Sequence, residues 1–325
     1  MVPVAVRIAF IGCGGAGSAH RRNVAAIADA QIVAVSDIDP RRATSAGNEH
    51  GCPSFTDWRE MLGSVQAHAV YVAVPPTEHG PVERAVLEMG AALYVEKPLA
   101  LNKRIPAQIS HVIAERGAIA TAGYQLRYAA STDAVRGWLQ ERRVGMINAF
   151  YYTSLPPTPW WRDTSLSGGQ TVEQTTHMID LIRYLGGEVA EITSRSALRL
   201  LADTPGMKTD DVAAHLMRLE GGAIATLVQT CALTNHGGMG LEIIAGGDLI
   251  HWRPERAVLL SKGEETVVRD AADPMATADR AFVTAVATRD PSMLRCTYDD
   301  ARATLAVTLD AARSRRGEGA APNRE

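Results

Sequence analysis

Apolar residues in the first third of the chain come in short continuous runs. VRIAFIG (Val6 to Gly12), QIVAVSD (Gln31 to Asp37) and AHAVYVAVPP (Ala67 to Pro76) are three of them. Such runs read as strands covered on both faces. Helical stretches separate them: SAHRRNVAAIA, a segment opening at Asp39-Pro40 where proline suits the first turn, and another starting near Asp57. A short strand falls at Pro53 to Thr56. Thr77 is placed to cap the next helix, which ends at Met89-Gly90. AALYVEKP, a helix over Ile105 to Arg116 and the strand AIATAG complete the series. Strand–helix alternation predicts a doubly wound parallel sheet over residues 1–122.

After Gly123 the pattern changes. A helix over Ser131 to Arg142 leads into the strand MINAFYYTS and then the loop LPPTPWWRDTSLSGG. One helix is expected between the glycine pairs Gly168-Gly169 and Gly186-Gly187. Seven strands follow from Glu188 to about Val268, separated by glycine turns or short polar links, which reads as antiparallel hairpins. Helices over Met275 to Arg289 and Tyr298 to Ser314 are expected to close a second, α+β domain over 123–325. The tail 315–325 reads as disordered.

With 325 residues, 46% hydrophobic and 21% charged, the chain has globular composition. A net charge of -3 gives no reason to expect nucleic acid or an anionic membrane as partner. The four cysteines form no C-x-x-C pair, which suits free thiols in a reducing compartment. No run is long enough to span a membrane, and Arg7 interrupts the apolar start, which lacks a signal-peptide layout. The expected address is the cytoplasm.

GCGGAG places Gly12, Gly14 and Gly17 in a G-x-G-x-x-G pattern between strand and helix. The first glycine permits the tight turn, the second lets backbone approach a pyrophosphate, and the third lets helix pack on strand. Asp37 ends the second strand, where a carboxylate holds ribose hydroxyls. It favours NAD, because it repels a 2′-phosphate; NADP stays open through Arg41 and Arg42. EKPLA (Glu96 to Ala100) lies at the carboxyl end of a strand, the edge where open α/β sheets bind ligands. Lys97 there reads as reaching over the nicotinamide or as a surface lysine in a proline turn. In the second half, Glu173, His177 and Asp180 fall at i, i+4 and i+7 of the expected helix, hence on one face. That face reads as catalytic or simply wet. A zinc site is disfavoured, because no His- or Cys-rich spacing accompanies the three.

GCGGAG, AVPPTEH, EKPLA, GYQLRY, the Gly168-Gly169 pair with Glu173, His177 and Asp180, and DDVAAHLMRLEGGAIATL together resemble the glucose–fructose oxidoreductase, inositol dehydrogenase and rhizopine catabolism family. AFVTAVATRDPS and TYDDARATLAVTLDAARS fit as well. The resemblance covers nearly the whole chain. It implies a Rossmann domain joined to a domain on a large, mostly antiparallel open sheet, NAD(P)-dependent oxidation or reduction of a sugar or polyol, and a homodimer or homotetramer formed through that sheet. It implies a cis Lys97–Pro98 peptide and cofactor contacts from Pro75, His79, Glu96 and Lys97, with His79 readable also as a local cap. Glu173 stands at the aspartate and Thr175 at the glycine of the family's D-x-G-x-H motif, two departures.

Oxidising an alcohol removes a hydride from carbon and a proton from oxygen. His177 is suited to take the proton, Lys97 to stabilise alkoxide charge, and Glu173 to orient His177 or bind a hydroxyl. The implied fold faces these helix groups toward Lys97 across an interdomain cleft. Asp180, Tyr124 and Arg127 are substrate candidates; Arg127 reads equally as an interdomain ion pair. Trp160 and Trp161 offer a platform for a sugar face or a subunit contact. Two other functions fit: an NAD-dependent glycosidase working by transient sugar oxidation and elimination, and a non-enzymatic dinucleotide sensor.

Overall fold

The structure, a computed structural model, describes residues 5–314; the expectation for the tail 315–325 lies outside the described residues. In chain order the first elements are β1 Val6–Ile11, α1 Gly15–Ala25, β2 Ala30–Ser36, α2 Pro40–His50, β3 Ser54–Phe55, α3 Trp58–Ser64, β4 Ala69–Val72, α4 Pro81–Glu88, β5 Ala92–Val95, α5 Arg104–Arg116 and β6 Ala120–Ala122. Next come α6 Ala130–Leu139, β7 Val144–Ser154, α7 Thr164–Ser167, α8 Gln170–Glu173 and α9 Thr176–Gly186. Then follow β8 Val189–Ala197, β9 Val212–Leu219, β10 Ile224–Leu233, β11 Gly238–Ala245, β12 Asp248–Arg253, β13 Arg256–Ser261 and β14 Glu264–Arg269. The helices α10 Pro274–Thr288 and α11 Tyr298–Ser314 end the described chain.

Two compact units result. One holds the described chain through Ala129 together with Ala271–Arg302; the other holds Ala130–Asp270 and the described chain from Ala303 on. The sequence pattern groups α10 with the second half, but its inward residues belong to the first unit. Phe282 and Val283 join Ile8, Phe10, Tyr71 and Tyr94 in one core, and α10 lies against α1 and β1.

The first unit is a six-stranded sheet ordered β3-β2-β1-β4-β5-β6 with every pair parallel. This is the doubly wound order, with its switch point between β1 and β4. The continuous apolar runs are the central strands, buried on both faces as the pattern predicts. Thr77 does not cap α4. Gly80 takes that place with φ 111°, Pro81 opens the helix, and the Glu83 carboxylate accepts the Gly80 amide.

The second unit is an eight-stranded sheet ordered β14-β13-β12-β11-β7-β10-β9-β8. All seven strands expected after Glu188 are present, and most pairs are antiparallel. The exception is β10, which pairs parallel with β7, from Ile224 opposite Met146 to Thr230 opposite Tyr152. One face packs under α9 at β7, β10 and β11, and under α6 at β12, β13 and β14. Met217, Leu227, Ile243 and Trp252 point into that core, while Leu216, Val228 and Ile244 alternate to the open face. All four cysteines are free. Among the described residues no helix is long and apolar enough to cross a membrane.

Candidate active site

The glycine turn between β1 and α1 is built as its spacing predicts. Gly12 has φ +95°, and a Cβ there would stand 2.1 Å from the carbonyl oxygen of Ala73, so only glycine fits. Gly17 meets Gly12 just as closely. The Cβ directions of Gly14 and Gly15 meet no atom within 4 Å. Bare backbone at the start of an eleven-residue helix therefore faces open space, a cradle for phosphate oxygens.

Asp37 follows β2 and turns back onto this loop. Its Oδ2 accepts the Cys13 amide at 2.7 Å and its Oδ1 the Asp39 amide at 2.9 Å. Two backbone donors thus fix the carboxylate where a ribose would lie, leaving lone pairs to accept hydroxyls. Arg41 and Arg42 lean on Asp39, at 3.5 and 3.8 Å. Donor set, open cradle and carboxylate all fit a dinucleotide with a free 2′-hydroxyl. Burial pushes the neighbouring Cys13 thiol up to about 11, which keeps it neutral.

At the end of β5 the Lys97–Pro98 peptide is cis, as the resemblance implies. Lys97 is half-buried and Glu96 is buried. The Glu96 carboxylate points inward, with Oε1 3.0 Å from His20 Nε2. The other ring nitrogen of His20, Nδ1, lies 2.6 Å from Asp279 Oδ1. Burial pulls the His20 pKa down, but the hydrogen bonds to Asp279 and Glu96 outweigh it and hold the imidazole up at about 9. His20 and Asp279 carry no short-range sequence signal, since 259 positions separate them.

Pro75 is exposed just after β4. His79 is buried and its Nδ1 pairs with Glu83 in the first turn of α4. Tyr124 is buried. Arg127 is 2% exposed and donates to the Arg295 carbonyl at 2.7 Å and to Asp300 at 3.1 Å. Both partners lie in the Rossmann unit, so this is an ion pair within one unit.

In the second unit the expected single helix is broken. Glu173 ends α8, and α9 starts at Thr176. The Thr175 amide reaches back to the Gln170 carbonyl at 2.8 Å, and the His177 amide bonds to the Gln174 carbonyl at 3.3 Å. Gln174, with φ -109° and ψ -55°, departs from regular helix. Glu173 is thus separated from His177 and Asp180 by a two-residue irregularity in the helix. Another residue fixes its direction: Trp161 Nε1 donates to Glu173 Oε2 at 2.8 Å. Trp161 is buried against Met207 and Cys231, with Trp160 partly buried beside them. Trp161 is a core residue that aims a carboxylate, not an exposed platform.

His177 opens α9 and is 8% exposed. Asp180, one turn on, is buried and accepts from Thr304 Oγ1 at 2.8 Å. Arg183 donates to that same hydroxyl at 2.5 Å and grips both oxygens of Glu188, at 2.7 and 2.9 Å. Asp180 thus ties α9 to α11. A second buried chain seats α8: Gln229 Nε2 donates to Thr171 Oγ1 at 3.0 Å, Gln229 Oε1 lies 3.3 Å from His215, and His215 lies 2.8 Å from Ser194.

Comparison with known proteins agrees with this geometry. Residues 6–124 match the model described as oxidoreductase family, NAD-binding Rossmann fold, and residues 133–246 match the GFO/IDH/MocA C-terminal domain. Inositol 2-dehydrogenase of Rhizobium meliloti is 29% identical over 196 residues, 59% of this chain and 59% of that protein. The chain spans between 59% and 65% of the length of two curated relatives it matches. Levoglucosan dehydrogenase, solved with NADH, superposes with a TM-score of 0.86 at 18% identity, covering 97% of this chain and 98% of that one. UDP-N-acetylglucosamine 3-dehydrogenase of Acidithiobacillus ferrooxidans superposes with a TM-score of 0.84 at 20% identity, covering 96% and 98%. At those identities the likeness establishes the fold. With both models matched in order along one chain, this protein belongs to the GFO/IDH/MocA oxidoreductase family, whose first domain is the NAD-binding Rossmann fold.

Proposed function

We propose that the protein is an NAD-dependent dehydrogenase that oxidises a hydroxyl carbon of a sugar, sugar derivative or polyol, or reduces the matching ketone. The observation that carries the reading is Asp37, pinned by the Cys13 and Asp39 amides beside the open glycine turn. NAD, when bound, supplies the hydride acceptor. The fixed carboxylate accepts the ribose hydroxyls and repels a 2′-phosphate.

Lys97, at the ligand edge of the same sheet, stabilises the negative charge that develops on the substrate oxygen. His177 takes the hydroxyl proton, imidazole being the side chain suited to general-base work at neutral pH. Glu173, aimed by Trp161, accepts a neighbouring hydroxyl or the imidazole N–H. Relatives named as inositol, levoglucosan and UDP-N-acetylglucosamine dehydrogenases support a polyhydroxylated substrate.

The test is incubation with NAD and a panel of inositols, free sugars, nucleotide sugars and glycosides, following NADH absorbance and product by mass spectrometry. NADH formation with a matching ketone supports the reading. Release of an aglycone with no net NADH replaces it with redox-neutral glycoside cleavage. Tight NAD binding without turnover of any compound replaces it with a sensor.

A further inference from the structure

The Rossmann unit contains a buried charged cluster that neither sequence motif accounts for. His20, on α1, is 0% exposed, and both of its ring nitrogens face carboxylates. Asp279 Oδ2 in turn accepts from Asn23 Nδ2 at 2.9 Å. A ring that meets an acceptor at each nitrogen is satisfied as the imidazolium, with both N–H groups donating. The rings of Tyr71 and Tyr94 enclose it, with centroids 5.2 and 4.8 Å away. The fold makes room for this: a Cβ on Gly123 would stand 2.1 Å from Glu96 Oε1.

Stability alone explains such a cluster poorly, because packed apolar residues serve a core as well as a buried ion pair does. Its position explains more. His20 sits on the helix that begins at the dinucleotide glycines. Glu96 directly precedes Lys97. Asp279 comes from α10, far along the chain.

We propose that His20, clamped between Asp279 and Glu96, is a positioning residue for Lys97. By holding the Glu96 carboxylate it fixes the turn that carries the lysine to the helix that carries the phosphate cradle. Cradle and amine then keep one spacing through the reaction. Asp279 holds the imidazole charged and oriented, so α10 completes the device. The inference rests on the role given to Lys97 above, so its test includes a measurement that needs no turnover.

The chain has four lysines, Lys97, Lys103, Lys208 and Lys262. Reductive methylation with carbon-13 formaldehyde labels them for NMR, and Lys97→Arg assigns the Lys97 resonance. In His20→Gln with NADH bound, that resonance is expected to shift and broaden. Those of Lys208 and Lys262 should hold still, and NADH affinity should stay within about threefold. A Lys97 resonance identical to wild type would overturn the proposal. Should His20→Gln fail to fold by circular dichroism, Asp279→Asn removes the charge that fixes the ring while keeping its shape, and is read the same way. With a turned-over substrate, His20→Gln should lower kcat about tenfold at near-constant KM; unchanged kcat would also overturn the proposal. Absence of turnover by the wild-type protein would sink the dehydrogenase reading and leave the lysine resonance to decide this one.

Discussion

Trp161 donates its indole N–H to the carboxylate of Glu173 at 2.8 Å from inside an apolar cluster. The bond fixes where the acid points. In Trp161→Phe the ring packing stays and the donor goes. Thermal unfolding should show a loss of about 1 kcal/mol. Turnover should fall about tenfold, because a carboxylate free to rotate no longer aims at one place. A variant matching wild type in kcat would show that the direction of Glu173 does not matter.

Lys97→Ala and His177→Ala should each lower kcat by about a hundredfold or more, the usual worth of a positioned acid, base or charge. NADH affinity, measured by fluorescence titration, should stay within about threefold. Near-normal turnover in either variant removes that residue from the chemistry.

Asp37→Ala should weaken NAD binding about tenfold while improving NADP, narrowing the preference. It also strips the Cys13 amide of its acceptor, so a small loss of stability should accompany the change. Calorimetric titration with both dinucleotides decides the point. An unaltered ratio of the two affinities would place cofactor choice elsewhere.

The His20 cluster makes stability depend on pH. The imidazole titrates at about 9 in the folded protein against 6.5 for the free group. A raised pKa means the folded state holds the proton more tightly. The contribution is complete below about pH 6.5 and is lost as pH rises through about 9. Its size is roughly 3 kcal/mol. Tyr71 and Tyr94, pushed well above 10 by burial first and by the Asp279 charge second, do not titrate in this window. Urea midpoints taken across it should decline for wild type and stay flat for His20→Gln. Parallel curves would mean the ring is neutral in the folded state.

Asp180 offers a contrast. Its Oδ1 is engaged with Thr304, which is itself bonded to Arg183. Asp180→Ala should therefore destabilise by about 2–3 kcal/mol. KM for the sugar, assayed well below the melting temperature, should stay within about threefold. A large KM change at unchanged stability would return Asp180 to the substrate.

Local rules reached the Rossmann half well. The continuous apolar runs became β1, β2 and β4, and Gly12 was readable because its constraint is set by the turn it occupies. They failed where distant parts of the chain decide. Periodicity saw one helix through Gly168 to Gly187, yet Gln174 and Thr175 break it into α8 and α9. The tryptophan pair read as a platform because sequence shows only that rings are present. Burial against Met207 and Cys231 makes Trp161 an anchor. The parallel match of β10 with β7 arises because α7, α8, α9, β8 and β9 intervene, and strand patterning carries no direction. His20 and Asp279 went unread because each looks ordinary on its own helix.

The placement of Phe282, Val283 and Asp279 bears on how the protein is made. They fill and neutralise the interior of a unit whose strands all lie before Gly123. The first 129 residues alone lack Phe282 and Val283 from the core and the Asp279 carboxylate that His20 meets. The nucleotide half is therefore complete only once α10 has been synthesised.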